Sequence, residues 1–185
     1  MKSRLYFITG SSGVGKTPLV TILKSLLPDS FSVHDLDEKL KEVDRTKPNW
    51  LYDWRNYTTR YFIDLAIENT KQNKSTVVCG IIWPHEVKSV PNIELSPPVN
   101  FIFLDVEQEE LKKRFFARRW SNESKIADLK RDTGMTPDEY IQKNIIEVDK
   151  LKKECIENGA KIINTTHLSS ENVASKIKEL IYAQI

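Results

Sequence analysis

The sequence predicts an α/β fold, a three-layer sandwich of helices packed around a five-stranded parallel sheet. Three observations carry this expectation. Five short apolar or β-branched runs alternate with stretches of helical spacing, the order that strand–helix–strand units produce. Several of the runs are apolar throughout rather than alternating, which suits strands covered on both faces. The chain has 185 residues with no internal repeat or dividing linker. One domain of roughly 150 residues is therefore the prior, and residues 1–185 are read as that domain.

The first strand is Leu5-Tyr6-Phe7-Ile8-Thr9, ending at Gly10. Leu19 to Leu27 has helical spacing and stops at Pro28, which cannot continue a helix. Phe31-Ser32-Val33 is a second strand, followed by His34-Asp35-Leu36-Asp37 and a polar helical stretch to about Val43, broken by Pro48. Trp54 to Asn73 carries apolar positions at Tyr57, Tyr61, Phe62, Leu65 and Ala66, the stripe of an amphipathic helix. Ser75 to Ile82 is a third strand and Asn100 to Val106 a fourth. Glu107 to Trp120 is a charged helix that ends in arginines, and Asn122 to Thr136 is a polar excursion. Thr136-Pro137-Asp138-Glu139 starts another helix, with Thr as the cap, Pro at the first position and Glu at the third. It runs to about Asn158, with Gly159 as its C-terminal cap. Lys161-Ile162-Ile163-Asn164 is the fifth strand, and Val173 to Ile181 the last helix.

Composition removes several classes. Hydrophobic residues are 39% and charged residues 29%, the balance of a globular protein rather than a disordered one. The formal net charge of +2 is too small to draw nucleic acid or a membrane surface by bulk electrostatics. Two cysteines, Cys79 and Cys155, make neither a disulfide framework nor a four-ligand zinc site. Cys79 lies in an apolar run and reads as a buried thiol, consistent with a reducing compartment. Leu5 to Ile8 is too short for a signal-peptide core, and Val77 to Trp83 is far short of a membrane span. The expectation is a cytoplasmic protein with no membrane and no nucleic-acid partner.

The segment that carries chemistry is Gly10-Ser11-Ser12-Gly13-Val14-Gly15-Lys16-Thr17, which fits G-x-x-x-x-G-K-[ST] between a strand and a helix. Its glycines let backbone N–H groups turn inward around phosphate oxygens. The helix that follows adds its positive N-terminal end. Lys16 would reach the β- and γ-phosphates, and the Thr17 hydroxyl would take a Mg²⁺ coordination position. At about 7% glycine usage, two glycines at this spacing arise roughly once in 200 positions, and the required lysine and hydroxyl reduce that further. Pro18 follows where this loop offers another N–H to the α-phosphate; proline has none, so weaker α-phosphate contact is expected.

This loop, Asp35-Leu36-Asp37 after the second strand, Gly80 after the third, and Arg114, Arg118 and Arg119 after the fourth resemble the small-metabolite kinases of the shikimate kinase and gluconate kinase type. These belong to the wider nucleoside/nucleotide kinase family, and the resemblance covers nearly the whole chain. It implies a P-loop NTPase fold of nucleotide-kinase type, ATP, Mg²⁺ and a lid at about 118–135. Carboxylates at the carboxyl end of a strand sit where open α/β sheets bind ligands. One of Asp35 and Asp37 could accept the proton of an attacking hydroxyl, and the other could hold Mg²⁺ through water. The family pattern favours Asp37 as the substrate-side carboxylate, although Asp is also a common helix cap at such junctions.

The resemblance also implies an arginine on the following helix that binds a substrate carboxylate. Arg60, with Asp64 at i+4 to hold it, is the first candidate and Arg55 the alternative. Asp44-Arg45 and Trp50-Leu51 resemble a gluconate-kinase segment near the substrate, while Trp50, Tyr52 and Trp54 suit either a pocket or the core. Gly80 is expected to let backbone approach a substrate, though the family often has more than one glycine there. His85 reads as a surface residue. Asp105 resembles a Walker B acid by pattern, but in this family the matching residue is more often structural, and no magnesium role is assigned to it. Arg118 is the first candidate to close over the γ-phosphate and Arg114 the second. Lys125, Lys130 and Arg131 lie in the lid stretch Ser121 to Arg131, and Asn164-Thr165-Thr166 corresponds to a loop that packs near adenine in these kinases.

The expected activity is therefore transfer of the γ-phosphate of ATP to a hydroxyl of a small metabolite: a sugar acid, polyol or shikimate-like acid. A nucleoside or nucleoside monophosphate kinase is the alternative, with Trp50, Trp54 and Tyr57 available for a base pocket. A non-catalytic nucleotide-binding module or regulatory ATPase is a further one. No N-K-x-D segment is present to read guanine, and a polynucleotide 5′-kinase is disfavoured by the near-neutral charge.

Overall fold

All six residues of β1 (Leu5–Gly10) are buried, because this strand is the middle of a five-stranded sheet. Its partners are β2 (Phe31–Asp35), β3 (Ser75–Cys79), β4 (Val99–Asp105) and β5 (Lys161–Asn164). The spatial order is β2-β3-β1-β4-β5 and every pairing is parallel. This computed structural model describes residues 2–42, 44, 49–120 and 122–184; the side chains of Lys41, Glu42, Arg118, Arg119 and Asp132 are outside the description.

Strand alternation divides β1 between two cores. Tyr6 and Ile8 join Val77, Cys79, Ile102 and Leu104 on one face, under α1 (Lys16–Leu26) and α7 (Ser170–Tyr182). Leu5 and Phe7 join Val78 and Phe101 on the other, under α2 (Trp50–Thr70) and the short α3 (Pro84–Lys88). Phe103 meets Leu151 and Cys155 of α6 (Pro137–Glu157) on that side. Helices thus cover both faces of the sheet, and the expected three-layer sandwich is what forms. At about 25 cal/mol per Å² of apolar surface removed from water, this two-sided burial is the main stabilising term.

Several elements differ from the sequence expectation. The third strand stops at Cys79, not Ile82: the Gly80 N–H makes the last ladder bond, to the Ile8 carbonyl (3.0 Å), and the Ile82 N–H goes to the Thr9 hydroxyl instead of a strand carbonyl (3.1 Å). Helix α2 begins at Trp50, four residues early, and ends at Thr70, where Asn73 takes φ 56° and Lys74 N–H closes on the Asn69 carbonyl. Residues 36–42 form a 3-10 helix. The stretch expected to be a polar excursion holds α5 (Glu123–Thr133), which follows α4 (Gln108–Arg119). Asn122 caps α5 by accepting the Lys125 N–H, and Gly134, at φ 71°, ends it. Ile126 and Leu129 give it an apolar side against Leu111, Phe115, Trp120 and Ile141. The Thr136–Glu139 capping box forms as expected.

No described helix is long and apolar enough to cross a membrane.

Candidate active site

The carboxyl ends of β1, β2 and β3 lie side by side, so the loops that leave them converge. The loop after β1 is shaped by glycine backbone. Gly10, Gly13 and Gly15 all have positive φ (148°, 82° and 105°), conformations that L side chains rarely adopt. Gly15 is the N-cap of α1, where no side chain caps the helix and no acidic residue occupies the first turn. First-turn N–H groups with no side-chain acceptor are an anion site by construction. The Lys16 ammonium lies over the same loop, donating to the carbonyls of Gly10 (2.8 Å) and Ser11 (2.6 Å).

Lys16 and Thr17 share a cavity of about 230 Å³ with Asp35, Asp37 and Gly80. The two aspartates are arranged by the strand end itself. Asp35 Oδ1 accepts the Asp37 N–H (3.0 Å), and the Asp35 N–H goes to Glu38 Oε1 (3.2 Å). Burial raises the Glu38 carboxyl, but the Asp35 N–H and His34 outweigh it and hold the group below its ordinary value. Leu36 between the aspartates is buried at 1% exposure and anchors the turn in the core. Gly80 is required by that anchor: a Cβ there would stand 2.5 Å from Leu36 Cβ. The loop after β3 is further pinned by the Ile82 N–H, which donates to the buried Thr9 hydroxyl (3.1 Å).

Of the two arginine candidates, Arg55 lines the cavity and Arg60 does not. Arg60 is exposed on α2, 3.8 Å from Asp64. Arg55 is held at 2.7 Å by Glu86, which is buried and also accepts the Trp83 N–H (3.4 Å). Sequence reasoning missed Glu86; its signal is Pro84 and Glu86 at the first and third positions of α3. Leu51, Trp54 and Ile81 form the apolar part of the wall, so Trp54 serves both pocket and core. Tyr52 is exposed. Arg45 lies outside the described residues.

Arg114 takes a different position from the one expected of a γ-phosphate contact. Its Nη2 donates to the carbonyls of Thr165 (3.0 Å) and Thr166 (3.2 Å), its Nη1 to that of Val14 (3.4 Å), and its Nε to Glu110 (2.9 Å). It thereby ties the glycine loop to the turn after β5. A second cavity of about 290 Å³ lies there, lined by Gly13, Val14, Gly15, Arg114, Thr165 and Leu168 among others. Arg118 is in α4, with its side chain outside the description. Asp105 makes an ion pair with Lys152 (2.7 Å), and His85 sits on the surface against Glu154 (2.9 Å).

Among the described residues, no group of three or more His, Cys, Asp or Glu side chains lies together as a metal cage. The Thr17 hydroxyl and the carboxylates of Asp35 and Asp37 line one cavity, oxygen donors of the kind Mg²⁺ takes one or two at a time alongside phosphate and water.

No protein-family model matches the sequence, and no curated protein matches it. Solved structures do match in fold. A tunicamycin resistance protein from Deinococcus radiodurans is 16% identical, with a TM-score of 0.66 over 97% of this chain and 96% of that one. The shikimate kinase of Acinetobacter baumannii, solved with shikimate, is 18% identical, with a TM-score of 0.57 over 100% and 95%. A gluconokinase from Sinorhizobium meliloti is 15% identical, with a TM-score of 0.51 over 97% of its own chain and 99% of this one. At such identities the likeness establishes the fold, that of the P-loop kinases.

Proposed function

We propose that this chain is an ATP-dependent phosphotransferase acting on a hydroxyl of a small molecule in the cytoplasm. The observation that carries the proposal is a single cavity holding both the glycine loop with Lys16 and the Asp35/Asp37 pair. A phosphate donor and a hydroxyl acceptor need such a shared space, because in-line transfer works chiefly by positioning and charge stabilisation.

The triphosphate of ATP would lie in the loop Gly10 to Thr17, against the uncapped end of α1. The second cavity beside Arg114, Thr165 and Leu168 accommodates the base, so Arg114 is assigned to the nucleoside side. Lys16 would leave the carbonyls of Gly10 and Ser11 for the β- and γ-phosphate oxygens. Mg²⁺, held by the Thr17 hydroxyl and by Asp35 through water, would supply neutralisation of phosphate charge. Asp37 orients the acceptor hydroxyl and takes its proton. Arg118 remains the proposed cation over the transferred group, carried by the α4–α5 segment at about 118–135 as a lid that excludes water. Sugar acids, polyols and shikimate-like acids are the acceptor classes the sequence resemblance gives.

The test is acceptor-dependent ADP release across those classes, nucleosides and aminoglycoside-type hydroxyl compounds. Lys16→Ala is expected to lower kcat at least several hundredfold, and Asp37→Asn by roughly 10²–10⁴ if Asp37 is the base. A fully active Asp37→Asn protein refutes that role; ATP hydrolysis indifferent to every acceptor refutes the transferase.

A further inference from the structure

The turn after β5 holds Arg114 by its edges. A guanidinium has five N–H donors, all in one plane. Here the Nε donor goes to Glu110 (2.9 Å) and the Nη1 donors to the Val14 carbonyl (3.4 Å) and the Thr165 hydroxyl (3.5 Å). The Nη2 donors go to the carbonyls of Thr165 (3.0 Å) and Thr166 (3.2 Å). Every donor is therefore committed within the plane, yet the side chain keeps 25% exposure and lines the cavity of about 290 Å³. What such a guanidinium offers a ligand is its flat cationic face rather than a hydrogen-bonding fork.

The polar groups beside it are committed as well. The Thr165 N–H and hydroxyl both donate to the Asp105 carbonyl (2.8 and 2.9 Å). The Thr165 carbonyl accepts the Leu168 N–H (3.2 Å) in addition to Arg114, so both its lone pairs are used. The Thr166 N–H goes to Asn164 Oδ1 (2.9 Å), and its hydroxyl accepts the Glu107 N–H (3.0 Å). Among the described residues, the other polar side chains on this cavity are Ser169 and Ser170, and Leu19, Leu168 and Val173 supply its apolar wall. A hydroxyl donates or accepts by rotating. Adenine and guanine differ in that one presents an amino donor where the other presents a carbonyl acceptor. A wall that separates them needs a fixed group at that edge, and the Arg114–Thr165 network leaves none of its own.

Resting on the reading of this cavity as the base site of a kinase, we infer that the phosphate-donor site takes purine nucleoside triphosphates without telling adenine from guanine. The base is held by the face of Arg114 and by the apolar wall, and its edge is not read. Stacking of this kind tolerates a change of base, because every base has a π-face. A site built to hydrogen-bond a ligand group rejects the analogue lacking it by roughly 10⁴–10⁵-fold, so the two designs differ by orders of magnitude in selectivity. Arg114 thus both ties the glycine loop to the turn after β5 and serves as the platform for the base.

The experiment is calorimetric titration of the wild-type protein with ADP, GDP and inorganic tripolyphosphate, each with Mg²⁺ and without an acceptor. The dissociation constants of ADP and GDP are expected to agree within about tenfold. Arg114→Lys keeps the positive charge and removes the flat face. It is expected to weaken ADP and GDP by the same factor, about tenfold, and to leave tripolyphosphate, which has no base, within about threefold. A wild-type preference for either purine beyond tenfold overturns the inference. So does an Arg114→Lys protein that binds both nucleotides as the wild type does, or one that loses tripolyphosphate along with them; the latter reduces Arg114 to holding the glycine loop. The wild-type comparison stands even if the variant does not fold. A strong purine preference overturns this inference alone and leaves the phosphotransferase reading intact, because binding is measured without turnover. No binding by either nucleotide overturns both.

Discussion

Replacing Gly80 by Ala tests the geometry of the proposed acceptor end most directly. The backbone of Gly80 is outside the left-handed region, so alanine is conformationally allowed and its effect is steric. The added Cβ would lie 2.5 Å from Leu36 Cβ, 2.8 Å from Cδ2 and 3.1 Å from Cγ. Carbon atoms prefer about 3.5–4.0 Å, so the two segments must part by roughly 1 Å. The nearest atom is a Cβ fixed to the main chain, and a rotamer change at Leu36 does not relieve it. Overpacking of this kind costs about 1–3 kcal/mol, offset by about 0.4–1 kcal/mol from the stiffer unfolded chain. A net loss of about 1–2 kcal/mol at an m-value near 2 kcal/mol per molar would lower the urea midpoint by roughly 0.5–1 M. The kinetic consequence is larger, because Leu36 lies between Asp35 and Asp37. If these are the acceptor-side carboxylates proposed above, a 1 Å displacement corresponds to about 10²-fold in kcat. Nucleotide affinity is expected to stay within about twofold, since the glycine loop is not displaced. Urea denaturation, ADP release and nucleotide titration measure the three quantities. A variant with unchanged midpoint and unchanged kcat would refute the reasoning that Leu36 and Gly80 set the position of the aspartates.

Other outcomes follow from the same geometry. Asp105→Asn is expected to keep Mg²⁺-dependent activity within about twofold while costing about 1 kcal/mol through the lost Lys152 pair; a shifted Mg²⁺ requirement in the rate assay would return Asp105 to the metal. Burial, with Asp35 nearby, pushes the Cys79 thiol up to about 12. Its folded value exceeds its unfolded one, so its contribution is complete below about pH 9 and is lost at about 1.4 kcal/mol per pH unit as pH rises toward 12. Urea midpoints that fall faster with alkaline pH in wild type than in Cys79→Ala would bear this out, and parallel curves would not. Pro18→Ala restores an N–H in the first turn of α1 and is expected to tighten ADP binding several-fold by calorimetry; unchanged affinity removes the α-phosphate argument.

The strand order along the chain, the glycine loop and the Asp35/Asp37 pair were determined by sequence alone, because each depends on neighbours in the chain. Buried parallel strands need apolar runs, a phosphate loop needs glycines at fixed offsets, and a strand end carries its own side chains to the site. The sequence also suggested a helix cap at Thr136. What it did not reveal was contact between distant segments. Arg55 rather than Arg60 lines the cavity because it sits near the start of α2 beside the buried Trp54, while Arg60 lies about 140° around the helix on an exposed face. Glu86 reaches Arg55 across 31 positions of sequence, and Lys152 reaches Asp105 across 47. Arg114 turns to the Thr165 carbonyl because β5 packs beside β4. Helix α5 was hidden by its polar composition, since only Ile126 and Leu129 meet the core. Local chemistry is written in adjacent residues. Which charge neutralises which is decided only when the sheet brings separate crossovers to one edge.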